Sequence, residues 1–144
     1  MSITFAQRGQ LCEPGSYSPG MGNTDTVLKD AMGIDGAIGV AIVDYTSGMA
    51  LGTLGSSPEL DLNVAAAGNT EVVRAKMRTM EMLNLFNETI EDILITLSGQ
   101  YHLIRPLTKR DSAGHFIYLA LDRRRANLAM ARHQLRQVED RLVL

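Results

Sequence analysis

The chain has 144 residues, enough for one domain that buries its own core without disulfides or a metal. Hydrophobic residues make up 45% and charged residues 21%, an ordinary globular composition, and tryptophan is absent. The formal net charge of −2 excludes a global field that would gather nucleic acid or an anionic membrane, and no run approaches the roughly 18 apolar residues of a membrane span.

Residues 1–23 show no sustained period and are broken by Pro14, Gly15, Pro19, Gly20 and Gly22, which reads as a mobile tail ahead of one domain at 24–144. The tail lacks a basic region followed by an apolar run, so no signal peptide is expected. Its Cys12 is the only cysteine and has no internal partner, which fits a reducing cytoplasm. No histidine or helix pattern surrounds it, so it reads as a plain thiol rather than a nucleophile.

A short helix is predicted at 23–32, with Thr24 or Asp25 as cap, Val27, Leu28, Ala31 and Met32 on one apolar face, and Gly33 at its end. The glycine-rich stretch "DGAIGVAIVDYTSGMALG" (35–52) follows. A Walker loop needs Lys and Ser/Thr directly after its last glycine, and a dinucleotide fingerprint needs a strand before its glycines and a helix after them. Here the order is helix, glycines, strand. The stretch therefore reads as a β-hairpin: strand 37–45, turn 46–48 and a weaker strand 49–55, with Gly39 allowing close approach of another backbone or a large side chain.

The longest helical pattern covers 56–86, with Ser57 as cap, Pro58 at the first helical position, and Ser56 and Glu59 resembling a capping box. Val73, Met77 and Met80 share one stripe; Glu71, Arg74, Arg78 and Glu81 share another. Ala65, Ala66, Ala67 and Gly68 make a small face that admits another helix, and such packing would offset the roughly 1 kcal/mol that glycine costs inside a helix.

A second hairpin is predicted at 89–107 with "SG" at its turn, and "FIYLALD" (116–122) reads as a strand buried on both faces. The last segment, 123–144, is helical: Leu128, Ala131, Leu135, Val138 and Leu142 follow a 3-4-3-4 spacing suited to lying on a sheet. Arg123, Arg124 and Arg125 at its start oppose the helix dipole. Charge is uneven: residues 1–100 carry −7 and residues 101–144 carry +5.

Catalytic signals are missing. His102, His115 and His133 stand apart on a strand, a loop and a helix, none at metal-ligand spacing with Cys, Asp or Glu. No serine sits in G-x-S-x-G. Glu91 and Asp92 are adjacent on a predicted strand and so point to opposite faces, and Asp44 reads as a turn acceptor. No cofactor and no metal are expected.

The order α-β-β-α-β-β-β-α is that of an α+β domain, a five-stranded antiparallel sheet sandwiched by helices. With "IDGAIGVAIVDYTSGMALG" (34–52), "AAAGNTEVVRAKM" (65–77), "IEDILITLSGQYHLIRPL" (90–107) and "FIYLALDRRRANLAMARHQL" (116–135), the chain resembles the bacterial branch of the roadblock/dynein-light-chain family, over roughly residues 24–140. The resemblance implies dimers, homo- or heteromeric, formed through the long helix and the third strand. It places the interface on Ala65, Ala66, Gly68, Val73, Met77, Met80, Ile93 and Ile95. It also implies a small Ras-like GTPase as partner, in some cases with stimulated hydrolysis and in others with a scaffold role in assemblies that include a sensor kinase. Stimulation in that family repositions the GTPase's own residues, and the stripe Glu71, Arg74, Arg78 and Glu81 is the candidate partner contact. The expected protein is a non-catalytic cytoplasmic homodimer with no nucleic-acid partner and no direct membrane insertion. A small-ligand sensor and a scaffold without a GTPase are the alternatives. Few polar residues converge among the core strands, which weighs against the sensor, and only seven Phe and Tyr are present to stack on bases.

Overall fold

A computed structural model of the chain describes residues 22–55 and 57–144; what the sequence suggests for 1–21, Cys12 included, and for Ser56 lies outside the described residues. Its elements are α1 (Thr24–Met32), β1 (Ala37–Asp44), β2 (Met49–Gly55), α2 (Leu62–Met82), β3 (Ile93–Thr96), β4 (Gln100–Pro106), β5 (His115–Asp122) and α3 (Leu128–Arg141). The predicted α+β order is the observed one.

The five strands form a single sheet in the order β2-β1-β5-β4-β3, every neighbouring pair antiparallel. The continuous apolar run of β5 explains its central place: Phe116 through Leu121 are all buried, as a strand covered on both faces requires. Alternation then sorts side chains into two layers. Val40, Ile42, Leu103, Ile117, Leu119 and Leu121 pack under α1 and α3. Ala41, Val43, Ile104, Phe116, Tyr118 and Ala120 pack under α2.

The first hairpin forms as expected, with Gly48 at φ 79° in its turn, a backbone angle a side chain would strain. Asp44 closes that turn by accepting from Thr46 N at 2.9 Å and Thr46 Oγ1 at 2.6 Å. These bonds favour the charged form and hold its carboxyl below the ordinary range, the side-chain bond from Thr46 first among the causes. Gly39 meets the predicted close approach: a Cβ there would lie 2.9 Å from Leu60 Cδ2 and 3.1 Å from Leu62 Cδ2.

Helix starts depart from the sequence reading. Neither Thr24 nor Asp25 caps α1. Asn23 holds the N-cap position, and its side chain is committed elsewhere: Nδ2 donates to Arg141 O at 2.6 Å and Oδ1 accepts from Val143 N at 2.7 Å. α2 begins at Leu62 rather than near Ser57, because the Asp61 carboxylate accepts from Asn63 N at 3.0 Å and Val64 N at 3.2 Å. Pro58 therefore sits in a turn, and Ser57 donates to Glu59 instead of capping. α3 begins at Leu128, where Asn127 Oδ1 accepts from Met130 N at 3.1 Å. The three arginines lie in the turn before it and do not oppose its dipole. Arg123 donates to Leu97 O and lies 5.4 Å over the Tyr101 ring.

Two ion pairs tie the β3–β4 half of the sheet to α3. Arg132 grips Asp92 with Nε and Nη2 at 3.0 Å each, a bidentate pair just ahead of β3. Arg105 Nε donates to Glu139 Oε1, with both side chains nearly buried.

Candidate interaction surface

α2 lies on the sheet by one face and turns the others outward. Ala66, Thr70 and Val73 are buried against the sheet, and Met77 packs beside them. Thr70 Oγ1 donates back to Ala66 O at 2.7 Å, which satisfies its hydroxyl inside this layer. Val73 is 0% exposed.

This corrects part of the expected interface. Ala66 and Val73 belong to the chain's own core and offer nothing to a second molecule. Ala65 and Met77 are half-buried against the same layer, and Met80 is half-buried. Gly68 is exposed, and a Cβ placed on it would meet nothing within 4 Å. Ile93 and Ile95 sit on the outermost strand, half-buried on the α2 side of the sheet, with the outer edge of β3 unpaired by any other strand.

The sequence reading missed the stripe opposite the buried one. Val64, Gly68, Val72, Ala75 and Met82 recur at spacings of four, four, three and seven, and all five are exposed. Val64 is 67% exposed, Val72 37% and Met82 71%, on a helix whose other outward positions, Ala67 apart, are polar. The spacing was readable in the sequence. Both stripes have helical period, and nothing local says which one meets the sheet.

The four predicted partner-contact residues, Glu71, Arg74, Arg78 and Glu81, are exposed and follow one another along α2. Arg74 is already engaged: Nη2 donates to Thr46 O at 2.7 Å, and Nη1 lies 3.7 Å from Glu71 Oε2. It pins α2 to the β1–β2 turn. Arg78 and Glu81 make no hydrogen bond or ion pair among the described residues.

On the β4–β5 part of the α2-facing layer, His102 Nε2 lies 2.7 Å from Gln100 Oε1, and Tyr118 OH lies 3.3 Å from His102 Nδ1. The two rings meet edge to face at 5.3 Å. Burial pushes the imidazole below its ordinary value and the phenol up to about 12. Gln100 Oε1 can only accept, so the neutral imidazole that fits this geometry carries its proton on Nε2 and accepts from the tyrosine hydroxyl at Nδ1. His115 and His133 lie elsewhere, and no group of three His, Cys, Asp or Glu among the described residues is placed to hold a metal ion. No helix among them is long and apolar enough to cross a membrane.

No protein-family model matches the chain, and no curated protein matches it in sequence. Solved structures do match in shape. Myxococcus xanthus MglB superposes with a TM-score of 0.63 at 17% identity, covering 81% of this chain and 85% of that one. A roadblock/LC7 domain from Streptomyces avermitilis gives 0.65 at 9% identity, covering 81% and 91%. An MglB with a tetrameric arrangement gives 0.66 at 15% identity, covering 81% and 82%. The chain has the roadblock/LC7 fold.

Proposed function

We propose that the chain is a non-catalytic homodimeric regulator or scaffold that binds a small Ras-like GTPase in the cytoplasm. The observation that carries the dimer is the exposed apolar stripe of α2 on a domain whose β3 edge is open. A strand edge with unpaired amides invites another strand, and exposed apolar side chains in a row mark a protein contact. A two-fold axis would pair β3 with its copy and bring the two α2 stripes together, Gly68 permitting close approach. The tetrameric arrangement described for one MglB supports self-association as a habit of this fold.

The GTPase reading rests on the resemblance to the bacterial roadblock branch and on the fold. Glu71, Arg78 and Glu81 line the polar side of α2 next to the apolar stripe, where a partner of the dimer would meet them. Arg74, held by Thr46 and Glu71, supports that surface rather than reaching out as a finger. Among the described residues no nucleophile–base pair is assembled that would support chemistry by the chain itself.

The test is binding to the Ras-like GTPases of the source organism, each loaded with GDP or a non-hydrolysable GTP analogue, with the mass of the free protein measured by light scattering. A dimer that prefers the GTP form supports the reading, and hydrolysis rates then separate activator from effector. A monomer, or a dimer that binds neither form, refutes it.

A further inference from the structure

The end of α2 forms a cleft that shares Glu81 with the proposed GTPase contact and Met77 and Met80 with the expected dimer interface, but whose other walls neither reading uses. After Met82 the helix stops in a left-handed residue, Asn84 at φ 60°. Leu85 N donates back to Met80 O at 2.9 Å and Asn84 N to Glu81 O at 3.0 Å, the paired bonds of a Schellman stop. The chain then folds under the helix end and leaves a cleft of about 350 Å³. That volume suits the insertion of large side chains. Its walls are Met77, Met80, Leu85, Phe86 and Leu107. Phe86 is 71% exposed, so this wall faces water.

Two carboxylates, Glu81 and Glu88, also line the cleft, and neither is in an ion pair among the described residues. The last turn of α2 contains no basic residue to offset the negative pole of the helix. Arg78 occupies a separate shallow dent beyond Met77 and Glu81. An apolar, methionine-rich wall beside unpaired carboxylates and a helix C-terminus complements a cation next to an apolar side chain. Methionine adapts its shape to what enters, and a groove of this kind takes an amphipathic helix. The carboxylates disfavour an anionic membrane surface.

We propose that this cleft docks a basic amphipathic helical segment of a partner protein, which inserts a large apolar side chain between Met80 and Phe86 and sets a Lys or Arg against Glu81 and Glu88.

The test uses the full chain and two fluorescein-labelled synthetic helices with leucines at helical spacing, one with lysines on its polar face and one with glutamates. Fluorescence anisotropy is expected to show saturable binding of the Leu/Lys helix and none of the Leu/Glu helix. Glu81→Lys with Glu88→Lys should weaken binding about tenfold or more, whereas Asp25→Lys with Glu59→Lys, the same charge change on exposed residues elsewhere, should leave it within about twofold. Phe86→Ser, at a site too exposed to affect folding, should weaken it as well. The proposal is overturned if the Leu/Lys helix does not bind, if both helices bind alike, if the two charge-reversal pairs weaken binding equally, or if Phe86→Ser binds like the parent. The mass of each sample is read alongside. A dimer that fails to bind the helix refutes the cleft alone, and a monomer that binds it refutes the dimer alone.

Discussion

Val72 and Val73 are neighbours in sequence, and the structure assigns them opposite fates. Val73 is fully buried under α2 in the chain's own core, whereas Val72 is 37% exposed on the outward stripe. Truncating Val73 to Ala removes two methyl-sized groups from a closed layer. At about 0.8 kcal/mol per group plus a cavity cost, the loss is roughly 2 kcal/mol. Val73→Asp places a carboxylate where it has no partner, at a cost of several kcal/mol against a total stability of about 5–15 kcal/mol, so it should leave little folded protein. Val72→Asp, at a residue 37% exposed and so already mostly covered in the monomer, should cost the monomer about 1–2 kcal/mol and leave it folded. In the proposed dimer, burying the remaining third of each Val72 contributes about 0.5–1 kcal/mol, twice over, from the roughly 1.5–3 kcal/mol of a fully buried valine. Two facing carboxylates add repulsion, so the dissociation constant should rise at least about tenfold. Urea titration and light scattering across a dilution series check both values. A folded Val73→Asp protein, or a Val72→Asp dimer as tight as the parent, would refute the reasoning.

Removing one partner of the nearly buried Arg105–Glu139 pair, 11% and 10% exposed, should cost about 3–5 kcal/mol in either single alanine variant. Arg105→Met with Glu139→Leu should recover most of that loss, as read from urea midpoints. Asp61→Ala removes the α2 cap and should cost about 1 kcal/mol by the same measurement. Because the folded His102 has a pKa below its ordinary value of 6.5, the unfolded chain takes up this proton first as pH falls. Its contribution is complete above about 6.5 and is lost as pH falls through the lower folded value. His102→Gln should therefore flatten the stability difference between pH 7.5 and pH 5.5. Tyr118 acts in the other direction: with its pKa raised to about 12, stability is whole below 10 and is lost as pH rises toward 12, which Tyr118→Phe should abolish.

Much of the architecture was legible in the residues. β5 announced its central position through an unbroken apolar run, and the first hairpin through its β-branched strand and Gly48. α3 showed its buried stripe in Leu128, Ala131, Leu135, Val138 and Leu142, of which Leu128 is half-buried and the rest buried. Helix starts were not legible, because Ser57, Asp61, Thr24 and Asn23 are all competent caps by residue type, and pattern alone does not choose among them. Asn23 was drawn away by the C-terminal backbone, a partner more than a hundred residues distant in sequence. The candidate surface was half legible. The open edge at Ile93 and Ile95 was implied by the family resemblance alone, and the sheet order places β3 outermost, but α2 carries two apolar stripes of the same period. Only the sheet decides that Ala66 and Val73 go under the helix and Val64 and Val72 face out. The cleft had no local signature, since its walls come from α2, from the segment after it and from the end of β4.

The central place of β5 has a consequence for synthesis. β1–β2 and β3–β4 are local hairpins whose strands leave the ribosome together, but no ladder joins one hairpin to the other until β5 slides between β1 and β4. An isolated two-stranded hairpin is marginal in water, so the chain emerges with two apolar ribbons that wait for their seventh and eighth elements. During that interval the inward edges of β1 and β4 are as open as β3 is in the finished domain, and a nascent neighbour on the same message could pair with any of them. Deleting residues 115–122 should thus leave a chain that aggregates on refolding more than the whole chain does.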